Sequence, residues 1–426
     1  MDPYRLPTDV KPTNYDLTIR TDLEQAKFDG VVRIDFEVQR ETSTIVLNVV
    51  GLQLEDVTLC LDNGKVEQTP SSQELDVATE RGIFTFPRNL PAESKAQLRI
   101  AFAGDLTGNT AGYFRSISKA EGTAKYSSLT HFEAFPCWDE PALKATFVIT
   151  LVSHDYTTNL SNMPKWKITR FETTPPMSTY LVAFANGQYE YLESSYTSPL
   201  SGKVRPLRVY TSPEVIEGAG FALEVSRRML PIYEQMFGIE YPLPKLDTLI
   251  VHDFFSGAME NGADLALKQQ IVSRQAHEVA HMWFGNITTM KWWDNLYLNE
   301  GFASLMGDVT MQGKIFPEWS PQTKFVSGRY ASALDLDAKL SSHPVEVECT
   351  DANKIVQILD ELSYAKGASV LRMLADYVGE ERFLNGVSIY LKHLYSNTVT
   401  ADLWEGIAAA TGRDIPRTMD NWIKKR

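Results

Sequence analysis

Residues 277–281 read His-Glu-Val-Ala-His, and Glu300 follows inside Leu298-Asn299-Glu300-Gly301-Phe302-Ala303. Side chains four apart share one face of a helix, so His277 and His281 are predicted to point at one ion. Glu278 sits one step round the same helix, where its carboxylate can reach a water at that ion without ligating it. Residues 282–299 give the chain room to leave this helix, turn, and return Glu300 from a second one. Two imidazoles and a carboxylate leave the fourth tetrahedral position open, as hydrolytic zinc requires. The bland alternative is an amphipathic helix whose histidines are merely hydrogen-bonded. Against it stands Glu300, set in an apolar run with Leu296, Leu298, Phe302 and Leu305. Burying that acid unpaired is costly, and a single zinc ion accounts for all three residues.

Upstream, residues 257–261 read Gly-Ala-Met-Glu-Asn, which alone would pass for a turn with a solvated acid. Together with the histidine motif and Glu300, it resembles the aminopeptidase N family of zinc gluzincins, in particular its cytosolic puromycin-sensitive-like branch. Further blocks carry the likeness: Thr130-His131-Phe132-Glu133, Phe135-Pro136-Cys137-Trp138-Asp139-Glu140-Pro141, Pro175-Pro176-Met177-Ser178-Thr179-Tyr180 and Leu362-Ser363-Tyr364-Ala365-Lys366-Gly367-Ala368. They occur in the family's order over nearly the whole chain.

The resemblance implies residue roles. Glu278 is the general base, and the Tyr364 hydroxyl faces the oxyanion formed when water attacks a peptide carbonyl. Glu260 and Glu133 clasp a free α-amino group through charge-assisted hydrogen bonds, so only the first peptide bond reaches the metal. Gly257 and Ala258 let an extended backbone approach, and Met259 and Asn261 complete the substrate-binding stretch. The implied activity is zinc-dependent release of amino-terminal residues from peptides. A thermolysin-type endopeptidase shares the zinc ligands but lacks the amine-anchoring glutamates. A third reading is a fragment with little activity that binds peptides. His131 stands where many members carry glutamine, near the pocket for the first side chain.

Composition sets bounds. The 426 residues carry 41 Lys plus Arg against 54 Asp plus Glu, a net charge of −13, with no basic run to suit nucleic acid. Three widely spaced cysteines, Cys60, Cys137 and Cys349, read as reduced thiols of a cytoplasmic protein and not as a disulfide frame. The start lacks the apolar core of a signal peptide, and no window is long and apolar enough for a membrane span.

The elements that must position the site read as an α+β chain. Through about residue 190 apolar residues alternate, with Phe28, Gly30, Val32, Ile34, Phe36 and Val38 on one face. Strands are also expected over 45–49, 83–86, 98–102 and 147–152, with a turn at Asp62-Asn63-Gly64. An antiparallel β-sandwich is thus expected over 1–193, and the resemblance implies that it is saddle-like. Residues 194–206 read as a linker or a hairpin. A thermolysin-like, mainly helical catalytic domain with a small sheet near 246–252 is expected over 194–426. There Phe221, Val225, Met229 and Tyr233 recur at helical spacing, and 355–378 reads as two helices broken near Gly367.

Three junctions are shorter than the family's pattern: after Glu133-Ala134, after Pro164 and after Asn261. The expectation is that the natural protein carries further segments there. The chain also stops about where the family's catalytic domain ends, so the resemblance implies either a fragment or a short form without the carboxy-terminal domains.

Overall fold

The computed structural model describes residues 5–61, 66–108, 112–120, 123–131, 134–154, 157–162, 169–251, 265–350 and 355–425. The chain forms two compact units. One comprises Met1–Glu190, Thr211–Ile216 and Leu249–Gly257; the other comprises Tyr191–Tyr210, Glu217–Thr248 and Ala258–Arg426.

The first unit is built on β-strands. Strands β1 (Val10–Asp22), β2 (Lys27–Val38), β3 (Thr42–Asn48), β4 (Gln53–Leu61), β5 (Val66–Gln68), β6 (Ser72–Asp76), β7 (Arg81–Leu90) and β8 (Lys95–Asp105) are followed by β9 (Gly112–Ala120), β10 (Thr123–His131), β11 (Thr146–Val152), β12 (Thr158–Ser161) and β13 (Phe184–Gly187). Sheet order is β11-β1-β2-β8-β4-β5, with β3-β7-β6 and β12-β13-β10-β9 beside it. The alternation read from sequence becomes a buried face: Tyr15, Leu17, Ile19, Val32, Ile34, Leu98 and Ile100 are almost fully enclosed. Tyr15 stacks on Phe147 with ring centroids 4.7 Å apart, and its hydroxyl accepts from the Trp138 amide. Among the strands of the described residues in this unit, one pairing departs from a purely antiparallel plan. Strand β11 runs parallel to β1, with Tyr15 opposite Phe147 and Leu17 opposite Ile149, because the chain returns to that edge only after β9 and β10. The Asp62-Asn63-Gly64 turn lies outside the described residues.

The second unit opens with a hairpin, β14 (Glu190–Thr197) and β15 (Val204–Thr211), joined by β16 (Leu246–Leu249). Of the two readings for 194–206, the hairpin holds. Helix α1 (Ala219–Phe237) buries Val225, Met229 and Tyr233, while Phe221 is half-buried. Helix α2 (Leu265–Ala280) packs on it, and the Tyr233 hydroxyl donates to the Ala276 carbonyl at 2.8 Å. After β17 (Thr289–Met290), paired in parallel with β18 (Asn397–Thr398), come α3 (Tyr297–Leu305), α4 (Gln312–Ile315), α5 (Pro321–Phe325), α6 (Ala331–Asp337) and α7 (Ile355–Ile358). The unit ends in α8 (Gly367–Val378), α9 (Glu380–Leu391), α10 (Thr400–Thr411) and α11 (Ile415–Ile423).

The expected break at Gly367 is a misreading. A π-helical turn, Leu362–Lys366, runs straight into α8, with helical dihedrals at Gly367; the chain breaks earlier, between α7 and that turn. The glycine serves contact instead. A Cβ on Gly301 would lie 3.1 Å from the Gly367 carbonyl carbon, so the missing side chains let α3 and α8 touch backbone to backbone. No helix among the described residues is long and apolar enough to cross a membrane.

Candidate metal centre

His277 lies in the last turn of α2, and His281 follows its end, its backbone N–H still donating to the His277 carbonyl. Trp283 and Phe284, both fully buried, anchor the turn that follows. The chain then passes through β17 and a short 3-10 turn, Trp293–Asn295, before α3 presents Glu300.

Three donor atoms converge. His277 Nε2 lies 3.2 Å from Glu300 Oε2, His281 Nε2 lies 3.4 Å from the same oxygen, and the two Nε2 atoms are 3.1 Å apart. Donors bound at about 2.0–2.1 Å around a tetrahedral ion stand roughly 3.3 Å from one another, so this triangle has the size that zinc needs. The second ring nitrogen settles the tautomer of His281: Nδ1–H donates to the Phe284 carbonyl at 2.9 Å, leaving the Nε2 lone pair for the centre. Two imidazole nitrogens this close to each other and to a carboxylate can share protons only in part. A cation satisfies all three lone pairs, and the donor set therefore fits a divalent metal. Among the described residues, this is the one cluster of histidine, cysteine and acidic side chains close enough to hold an ion.

The local charges agree. Burial alone would lower the His281 pKa, but the charge and hydrogen bond of Glu300 outweigh it and lift it to about 9. Burial likewise opposes ionisation of Glu300, yet His281 and His277 hold its carboxyl well below the usual carboxylate range. The carboxylate stays ionised without an ion, which keeps the centre ready for one. Glu278 is exposed, and its charge acts on both His281 and Tyr364.

Tyr364 joins this group. Its ring lies parallel to that of His277 with centroids 6.0 Å apart, and it hydrogen-bonds Glu300. Burial first, and the Glu300 charge second, raise its pKa far above the ordinary value, so the hydroxyl keeps its proton and can donate it. It sits on the π-helical turn, a distortion frequent at functional positions.

Sequence comparison then decides the family. The Peptidase family M1 domain matches residues 221–422, which include the whole histidine and glutamate cluster, and the Peptidase M1 N-terminal domain matches 11–181. The chain belongs to peptidase family M1. This family implies a metal, generally zinc.

Named M1 relatives cover the chain from end to end. It is 40% identical to "Aminopeptidase 2, mitochondrial" of Saccharomyces cerevisiae, over 99% of this chain and 46% of the yeast protein. It is 37% identical to "Puromycin-sensitive aminopeptidase" of Caenorhabditis elegans, over 99% and 47%. It is 36% identical to "Aminopeptidase M1" of Arabidopsis thaliana, over 99% and 51%. The chain thus spans about half the length of these relatives. The yeast alignment runs to 458 positions, longer than the 426-residue chain, so within the matched span that relative carries residues this chain lacks.

Of the M1 residues singled out from sequence, His277, His281, Glu300 and Tyr364 come together, with Glu278 on the next position of α2. Glu133, Gly257, Ala258, Met259, Glu260 and Asn261 lie outside the described residues. Sequence reasoning missed the supports. Gly307 presses against α2, where a Cβ would fall 2.7 Å from the Ser273 carbonyl oxygen and 3.0 Å from the His277 nitrogen. Asp308 accepts from the Ser273 hydroxyl one turn before His277 and pairs with Arg329 at 2.8 Å. Asp360 and His343 flank the Tyr364 turn. None stands in a motif, and only the folded chain brings them near. Elsewhere, a hollow of about 760 Å³ in the first unit mixes Arg20 and Lys27 with Asp22, Asp29 and Asp105 and gathers no set of metal donors.

Proposed function

We propose that this chain is a zinc-dependent aminopeptidase that removes amino-terminal residues from peptides. The observation that carries this reading is the triangle of 3.1, 3.2 and 3.4 Å among His277 Nε2, His281 Nε2 and Glu300 Oε2. His277, His281 and Glu300 would hold one zinc ion. When bound, zinc supplies Lewis acidity towards a carbonyl and draws the pKa of a water towards about 7. The Glu278 carboxylate takes the proton of the attacking water and hands it to the departing amine. The Tyr364 hydroxyl, kept protonated by burial, donates to the oxygen that gains charge as the carbonyl is attacked. Glu133 and Glu260 bind the substrate's ammonium group, with 257–261 alongside the peptide backbone; this part rests on the family resemblance. We further propose 1–193 and 194–426 as the β domain and the catalytic domain, and the cytoplasm as the site of action. Support for the location comes from the three cysteines, which form no disulfide and suit a reducing compartment, while the yeast relative's name places that protein in mitochondria.

Hydrolysis of a panel of aminoacyl amides, each free and N-acetylated, tests the assignment. The expected result is cleavage of the free amides only, lost on chelation and restored by zinc. Equal rates on blocked and free substrates would instead favour the endopeptidase reading.

A further inference from the structure

The π-helical turn Leu362–Lys366 that carries Tyr364 is gripped at both ends by one stretch of chain, the end of α6 and the loop after it. At the far end, Lys366 Nζ meets Asp337 Oδ1 at 2.7 Å, and that oxygen also accepts from the Ser342 hydroxyl at 2.7 Å. At the near end, Asp360 Oδ1 accepts from the Leu362 and Ser363 amides at 2.9 and 3.3 Å, capping the turn. The other Asp360 oxygen lies 3.1 Å from His343 Nε2. The opposite ring nitrogen, His343 Nδ1, lies 2.7 Å from the Pro344 carbonyl oxygen. Both nitrogens therefore face acceptors. A neutral imidazole has one N–H and can satisfy only one of them, whereas the imidazolium satisfies both.

We propose that Asp337 and His343 are positioning residues that clasp the Tyr364 turn at its two ends, and that the His343 end closes only while its ring is the imidazolium. The proposal rests on the reading above, in which Tyr364 serves the reacting carbonyl. Among the described residues, the charged groups acting on His343 are Asp360 at Nε2, Lys366, whose like charge opposes protonation, and Asp337, whose carboxylate attracts the imidazolium. The balance favours the cation. The Asp360 hydrogen bond raises the His343 pKa above its ordinary value, and despite burial Asp360 is held below its own. With a raised folded pKa, the clasp is complete below the usual histidine range and opens as pH climbs through the raised value.

Steady-state kinetics, side-chain NMR and amide exchange on the zinc-loaded chain test this together. His343→Ala should lower kcat about 10- to 100-fold with little change in KM. In a Tyr364→Phe background it should lower kcat no further. The Leu362 and Ser363 amides should exchange faster in His343→Ala, with the buried Val387 region of α9 unchanged. Asp360→Asn is the sharper variant. Asparagine can cap the same amides through its oxygen and donate its N–H to a neutral His343, so the turn should hold while the His343 NMR titration falls below its wild-type value. Equal kcat losses in both backgrounds would overturn the clasp, as would a wild-type His343 that titrates at or below its ordinary value. If Tyr364→Phe alone leaves kcat unchanged, the role given to Tyr364 has failed; exchange and titration then still decide the clasp.

Discussion

Two glutamates in the second unit, Glu234 fully buried and Glu300 half-buried, show how the same side chain can serve different ends. Glu234, fully buried in α1, accepts from the Tyr196 hydroxyl at 2.9 Å, the Ser198 hydroxyl at 2.5 Å and the Tyr241 amide at 2.9 Å. All three donors are neutral and fixed, and they hold the hairpin and the end of α1 together. Glu300 faces His277, His281 and Tyr364. Two of those partners have lone pairs that a cation can take. A buried acid surrounded by hydroxyls and amides is finished by folding. One surrounded by imidazoles still has a ligand to receive.

This contrast can be broken by substitution. The largest effect is expected at Glu300→Gln: bound zinc and peptide hydrolysis should both vanish while the helical circular dichroism is retained. Retention of stoichiometric zinc, read by elemental analysis, would remove Glu300 from the centre. Next comes Glu278→Gln, expected to keep zinc but lose about 10²- to 10⁴-fold in kcat; unchanged turnover in a zinc-loaded sample contradicts its role as base. Glu234→Gln should do the opposite of Glu300→Gln. Its new N–H groups face donors, so denaturant unfolding should show a loss of about 1–3 kcal/mol, with zinc content and activity per zinc intact.

A last effect concerns pH. In the metal-free chain, His281 holds its proton up to about 9 because Glu300 stands beside it. Zinc must displace that proton, so its affinity should rise by up to about tenfold per pH unit from pH 6 to 8 and flatten as pH passes the His281 value. The ion pair itself stabilises the metal-free fold at neutral pH. It weakens as pH rises through the His281 value and, at the acid end, as Glu300 is protonated. A zinc affinity that does not vary with pH would show that His281 binds no proton in competition with the metal.

Much of this was legible in the sequence, and the reasons differ by region. Strands such as β2 and β8 declare themselves because alternate residues must be apolar to bury one face. His277 and His281 can be placed together because helical spacing is fixed, and Glu300 because an acid in an apolar run needs a partner. The parallel return of β11 beside β1 could not be read, since it is set by distant chain crossings and not by local pattern. Gly367 misled because a glycine in a helical run signals a break as readily as a close contact; only Gly301 on the facing helix tells which. His343 and Asp360 escaped because their meaning lies in a meeting of two segments, and neither residue itself stands in a motif.

Diffraction from crystals grown with zinc, measured on both sides of the zinc absorption edge, bears most directly on the central claim. The expected result is one anomalous peak about 2 Å from His277 Nε2, His281 Nε2 and a Glu300 carboxylate oxygen. A zinc-loaded, fully folded chain with no peak there, or with its peak at another set of side chains, would contradict it.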